Sequence, residues 1–442
     1  MIEILSILIH FFVITIFCYA PNFACLLVKG KKNPNIINRL EVGLIINLFL
    51  LLILSFILRS GSNIIYYCLI IIFLMNFLLL LKDLFVSYQL KNLEINFIFL
   101  LLFFLFFIFS IDLSNNLKLG WDAQNYWLVK KLVFTNGGDF FDLKNTPRND
   151  YPYLGSFVWH IYSKFSIIGH EYFGRLFYLY LFLLSIFSIA SIIETKDFEK
   201  VILIFILIFL TYKVELFNGY QEILNFSLLI ILTKIFYEIF DGRLPIKKFD
   251  NRFIYLFVLI NSIIWIKSES TFLIMIFLLS TFLIKEINSK IKILMILVFI
   301  FLLLNKFYIF SFIDLSHEIQ KGNYEYFKIS NFFDFINFPR AILIITYIFF
   351  YSLDNMIFPI TMIALLIMIK YDKKNIFILP FSFMFILALG FFMAAFLLTS
   401  FPLKWVSWVS MSRIIFETSG LYVILVPLFY DFLKKKKIFN SI

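Results

Sequence analysis

Runs of apolar residues near the ~20 needed to cross a hydrocarbon core recur from one end of this 442-residue chain to the other. No other feature constrains the fold as much. Backbone in lipid must satisfy each N–H and C=O internally, so such runs must become helices or the strands of a closed barrel. Barrel strands would read as segments of ~10 residues with alternating polarity, and that pattern is absent. With 62% hydrophobic and only 15% charged residues, the chain cannot clothe a soluble surface. The expected class is an all-α polytopic membrane protein.

The runs place spans at roughly 3–28, 40–58, 63–82, 95–111, 171–193, 201–217, 220–240, 253–267, 270–285, 291–310, 341–369, 376–398 and 413–433, about thirteen transmembrane helices. The first lacks a basic leader and a cleavage motif, and reads as a retained helix. Short basic links, KGKKNPNIINR (29–39), TKDFEK (195–200), DGRLPIKKFDNR (241–252), KEINSKIK (285–292), KYDKKN (370–375) and KKKK (434–437), alternate with longer or tighter ones. By the positive-inside rule the basic set is cytoplasmic, with the C-terminus. The loops 112–170 and 311–340 then face outward, as does the N-terminus. These lysines account for the net charge of +11, which is no sign of nucleic-acid binding. The cysteines (Cys18, Cys25, Cys68) form no CxxC pair, and the histidines (His10, His160, His170, His317) show no ligand spacing. There is no P-loop, GxSxG or HExxH motif.

For the topology to alternate, 153–169 must not cross the membrane; His160, Ser163 and Lys164 between Pro152 and Gly169 suit a helix lying on the bilayer surface. Two such interfacial helices are expected in the outer loop, near 122–135 and 154–168. Five polar clusters fall on the outer side: GWDAQNYW (120–127), RNDYPYLG (148–155), FNGYQE (217–222), WIKSEST (265–271) and WVSMSR (408–413). Each has a plain structural reading. Asp122 could cap a flat helix among aromatic-belt rings, NDYP could be a turn, and Arg413 could snorkel. The cost of Lys267 and Glu269 inside an apolar stretch from 253 to 284 argues for more, since insertion scales charge about 2.5–3.5 kcal/mol for an ion at a helix centre. Clustering on one side suggests a shared cavity.

In order and side, these segments resemble the integral-membrane glycosyltransferases of the GT-C superfamily. The likeness is to the polyprenyl-phosphate-sugar-dependent kind, related to protein O-mannosyltransferases and the lipid A aminoarabinose transferase. Asp122 matches the family's loop aspartate; Asp150, Tyr151 and Pro152 match its D-Y-P segment. Gly219, Tyr220 and Glu222 match a GYxD/E, Lys267 and Glu269 a K-x-E-G turn, and Arg413 a basic residue early in the last helix. Ser270 stands where that turn usually has Gly, and Asp122 lacks an adjacent acidic partner, which leaves a divalent metal open.

The resemblance implies a GT-C-like core at 95–310, including the outer loop 112–170. Residues 1–94 would be accessory helices, 311–340 a second outer loop, and 341–442 variable helices with a basic tail. It implies transfer of a sugar from a polyprenyl-phosphate donor to a lipid, glycan or protein acceptor. The reaction would invert at the anomeric carbon, with Asp122 as general base. Lys267, Arg413 and Arg340 would hold the donor phosphate. Trp121, Asn125, Tyr126, Asp150, Tyr151, Tyr220, Glu222 and Glu269 would bind sugar or acceptor. The implied place is a bacterial inner membrane, with the site facing the periplasm and a role in envelope glycan biosynthesis. Two other readings remain open at this point: a flippase or transporter of lipid-linked oligosaccharides, and a surface-polysaccharide polymerase or ligase.

Overall fold

The computed structural model describes residues 2–29, 34–57, 63–89, 97–166, 168–193, 196–240, 251–285, 287–312, 338–372, 375–397 and 402–436. Most of the second outer loop, including His317, residues 30–33 of the basic link at 29–39, and most of the link at 241–252 lie outside them. Regular structure among the described residues is helical, with no strand.

Among the described residues six helices are long and apolar enough to span: 36–57, 64–83, 97–115, 172–190, 289–312 and 378–397. A bent pair, Phe338–Asp354 and Ile357–Tyr371, would bring the number to seven. Thirteen spans are therefore not what the helices provide by length. The expected run 3–28 breaks before Pro21 into α1 (Ile2–Phe17) and α2 (Asn22–Lys29). The run 341–369 turns by 99° at 355–356, and 413–433 divides into Ser412–Ser419 and Leu425–Lys435. Other segments are short. Helix Asn251–Ile264 has 14 residues and Ser270–Thr281 has 12. At 1.5 Å rise per residue each reaches only about 20 Å of the ~30 Å hydrocarbon thickness.

The chain forms two compact units, the first made of 1–188, 213–227 and 250–267. In it α1 packs on α3 (Ile36–Ile57), α4 (Asn63–Gln89) and α5 (Phe97–Asn115). Phe11 sits at that junction, fully buried, with the rings of Phe103 and Phe106 each 5.1 Å away and Tyr180 at 5.8 Å. Lipid is as apolar as Phe, so such contacts hold by fit and dispersion rather than by expelling water. By contrast α4 is mostly uncovered, exposing Ile64, Tyr67, Ile71 and Leu78, as a lipid-facing helix should.

The outer-loop segment folds as a widened turn at 123–127, then α6 (Leu128–Thr135), a short 3₁₀ turn at 140–145 and α7 (Leu154–Lys164). Asp139 and Asp142 form a reciprocal capping box on the 3₁₀ turn. The extents of α6 and α7 follow the expectation, but the setting of α7 does not. Residues Leu154–Ser163 are all buried, against α3 and α6 among others, so α7 is an internal helix and not one lying on a bilayer surface. Its polar members are satisfied inside the protein, which removes the need for an interface.

The second unit comprises 189–212, 228–249 and 268–442. Here Arg340 donates from Nε and Nη2 to the Phe396 carbonyl (3.4 and 3.1 Å), closing the end of helix Ile378–Leu397. Near the 99° bend, Asn355 donates to the carbonyl and hydroxyl oxygens of Ser412 at 3.1 and 3.0 Å.

Candidate functional site

The tetrapeptide around Gly120 is held against the turn at 217–220. Gly120 N–H donates to the Asn218 carbonyl at 2.9 Å. The Tyr220 ring lies so close to the Gly120 α-carbon that a Cβ there would sit 2.1 Å from the ring. Gly219 takes φ +82°, a left-handed conformation that suits glycine, and Ala123 and Trp159 press on its open side. Thus the first and third polar clusters form one structure.

Asp122 is half-buried at the start of the widened turn, with helical backbone angles (φ −63°, ψ −35°) and no side-chain cap bond. The capping reading is therefore wrong for this residue. The turn itself is π-helical over Ala123–Trp127, a geometry that occurs often at functional sites. Asn125 spends its amide N–H₂ on the Trp121 carbonyl, 2.8 Å away.

Four rings follow in sequence across the face of this turn. Trp121, 63% exposed, meets Tyr126 edge-on at 5.5 Å, and Tyr126 meets Tyr151 edge-on at 6.0 Å. Tyr151 stacks on Trp127 at 5.5 Å. The Arg148 guanidinium covers the Tyr151 ring at 4.2 Å, while buried Lys130 donates to the Tyr151 carbonyl at 2.5 Å. Arg148 Nε lies 3.5 Å from Asp150 Oδ1, on a carboxylate only 2% exposed. Burial raises the Tyr126 hydroxyl pKa above its usual value; Arg148 opposes this, while Asp122 and Asp150 add to it. Asp122, Asp150 and Arg148 thus act on one hydroxyl, which brings the first and second clusters together.

The fourth cluster joins through the backbone. Leu154 N–H donates to the Trp265 carbonyl at 3.0 Å, and Tyr153 packs on the Trp265 ring at 5.8 Å with its hydroxyl 2.7 Å from Ser55 Oγ. Two residues beyond Trp265, Lys267 Nζ lies 3.4 Å from Glu222 Oε1, with both side chains buried. Glu222 is the last residue of the FNGYQE turn and the first of helix Glu222–Phe240.

Arg175 and Glu171 were not singled out in the sequence, and they hold much of this together. Arg175 is fully buried, bonds Glu171 through Nε (3.1 Å) and Nη2 (3.3 Å), and donates to the carbonyls of Phe217 (3.0 Å) and Leu117 (3.3 Å). A single planar fork so pins the start of the loop to the 217–220 turn. Burial raises the Glu171 pKa, and Arg175 pulls it back down. A lone arginine in YFGRLFYLY was the available signal.

Of the expected site residues, Trp121, Asp122, Asn125, Tyr126, Asp150, Tyr151, Tyr220, Glu222 and Lys267 belong to the first unit; Glu269, Arg340 and Arg413 belong to the second. Glu269 precedes its helix without capping it, and Arg413 Nε donates to the Val409 carbonyl at 3.1 Å. His160 is buried, with Nδ1 3.1 Å from Thr135 Oγ1 and Nε2 3.2 Å from the Tyr66 hydroxyl. Burial first, then the Lys164 and Lys131 charges, lower its pKa to about 3, so it is a neutral packing residue. Among the described residues no three His, Cys, Asp or Glu side chains gather as a metal site. The sequence matches no protein-family model, no curated protein and no solved structure.

Proposed function

We propose that this chain is a GT-C-type membrane glycosyltransferase, moving a sugar from a polyprenyl-phosphate donor to an acceptor at the outer face of a bacterial inner membrane. The supporting observation is the convergence of four sequence-distant polar segments in one unit, held by Gly120–Asn218, Leu154–Trp265 and Glu222–Lys267. Helix caps and interface anchors have no reason to be tied to one another in this way. A transporter would instead call for repeat symmetry, and no internal repeat is visible in the sequence.

In this reading Asp122 takes the proton of the acceptor hydroxyl as its oxygen bonds the anomeric carbon. The bond from that carbon to the phosphate oxygen breaks, and the electron pair leaves with the polyprenyl phosphate. Configuration inverts, and no covalent enzyme intermediate is needed. The exposed Trp121 ring and the Tyr126 and Tyr151 rings offer faces for sugar C–H edges. The thirteen-span topology with a cytoplasmic C-terminus belongs to this proposal, the shorter helices being grouped as partial crossings. The test is transfer from a polyprenyl-phosphate sugar by purified protein in lipid, compared with Asp122→Asn.

A further inference from the structure

Lys131, in the first unit, carries a buried charge that its neighbours leave unanswered. It lies on α6 and is 7% exposed, and among the described residues its ammonium has neither a hydrogen bond nor an ion pair. Burial holds its pKa below the usual lysine value, with Glu171 opposing this and Lys164 adding to it. Glu171 does not complete the match, because Arg175 already holds both of its carboxylate oxygens. Two lysines and an arginine therefore share a single carboxylate. A desolvated ammonium without an acceptor is costly, so this place gains by taking an anion.

The surroundings say where that anion comes from. The Lys164 and Lys131 charges both depress the pKa of buried His160, so they flank one imidazole. The Thr135 hydroxyl donates to the Lys131 carbonyl at 2.9 Å. His160 Nδ1 therefore donates to Thr135, and its Nε2 accepts from the Tyr66 hydroxyl. Tyr66 stands near the start of α4, the helix that faces lipid. Four, eight and eleven residues after it, on the same side of α4, Ile70, Leu74 and Phe77 are all exposed. The cations thus stand at the head of an apolar track, as a headgroup stands to its acyl chains. Lys131 follows Asp122 by nine residues, about 13 Å of helical rise, too far for one phosphate to serve both.

We propose that Lys131 and Lys164, beside Tyr66, bind the headgroup of an anionic phospholipid whose chains lie along Ile70, Leu74 and Phe77. The site is separate from the Asp122 turn and does not depend on glycosyl transfer. Lysine suits it, since a point charge on a flexible stem can follow a mobile headgroup.

The test adds phosphatidylglycerol, phosphatidylcholine or soluble glycerol phosphate to the detergent-purified full chain and measures binding by native mass spectrometry. Both lipids carry a phosphodiester, but only phosphatidylglycerol has a net negative headgroup. We expect it to bind about tenfold more tightly than phosphatidylcholine, the worth of one charge-assisted contact. Lys131→Met and Lys164→Gln should each remove most of that preference. Lys164 is exposed, so its variant keeps the fold. Lys131→Met sheds a desolvated charge and should melt no lower than wild type in phosphatidylcholine. No preference for phosphatidylglycerol in wild type, or an undiminished preference in both variants, overturns the proposal. Glycerol phosphate binding as tightly as phosphatidylglycerol overturns the lipid as the occupant.

Discussion

Lys267 Nζ and Glu222 Oε1 stand 3.4 Å apart with both side chains buried, linking residues 45 positions apart in the chain. Removing one member of such a pair leaves the other's charge in a poor medium, at a cost of about 3–5 kcal/mol. Lys267→Met should therefore destabilise the protein by that order. Glu222→Gln combined with Lys267→Met should recover more than half the loss. Unfolding in detergent, followed for the single and double variants, measures both; additive losses would show that the two groups do not stabilise each other.

Gly120 must stay without a side chain, because Tyr220 occupies the space of its Cβ. Gly120→Ala should cost about 1–3 kcal/mol through overpacking. In a Tyr220→Ala background the same substitution should be nearly neutral. A melting-temperature cycle reads this, and an equal penalty in both backgrounds would mean the loop is not seated on the 217–220 turn.

His160 gives a pH signature. Its pKa falls from 6.5 to about 3 on folding, so above pH 6.5 it is neutral in both states and contributes no pH dependence. As pH drops below 6.5 the unfolded chain binds a proton that the folded chain refuses, and stability declines until about pH 3. By pH 5 the loss should be about 2 kcal/mol. His160→Gln should remove this component, seen as a shallower fall in stability from pH 7 to 5 than wild type shows. Parallel profiles would indicate that the imidazole is protonated in place.

The helical class and most helix positions could be read from the apolar runs, because a run in lipid has few alternatives. Breaks inside long runs were harder to see. Pro21 stands at one and Asp354 and Asn355 at the 99° bend, but these few residues leave the apolar runs around them long enough to read as continuous spans. The polar clusters were legible as exceptions to the background, and four prove to be tied together. Residues whose role is to hold others were not legible: Arg175 contacts Leu117 and Phe217 through its long side chain, a relationship no spacing encodes. Nor could α7 be read as internal, since the moderate polarity of a buried helix with satisfied side chains looks like that of a surface one.

The account stands most directly on Asp122. Asp122→Asn preserves shape and disturbs no capping bond, so the fold and prenyl phosphate binding should match wild type. Transfer from a polyprenyl-phosphate sugar in reconstituted membranes should fall by about 10²–10⁴-fold, the usual worth of a general base. Wild-type transfer rates in Asp122→Asn would contradict the assignment of this carboxylate as the base.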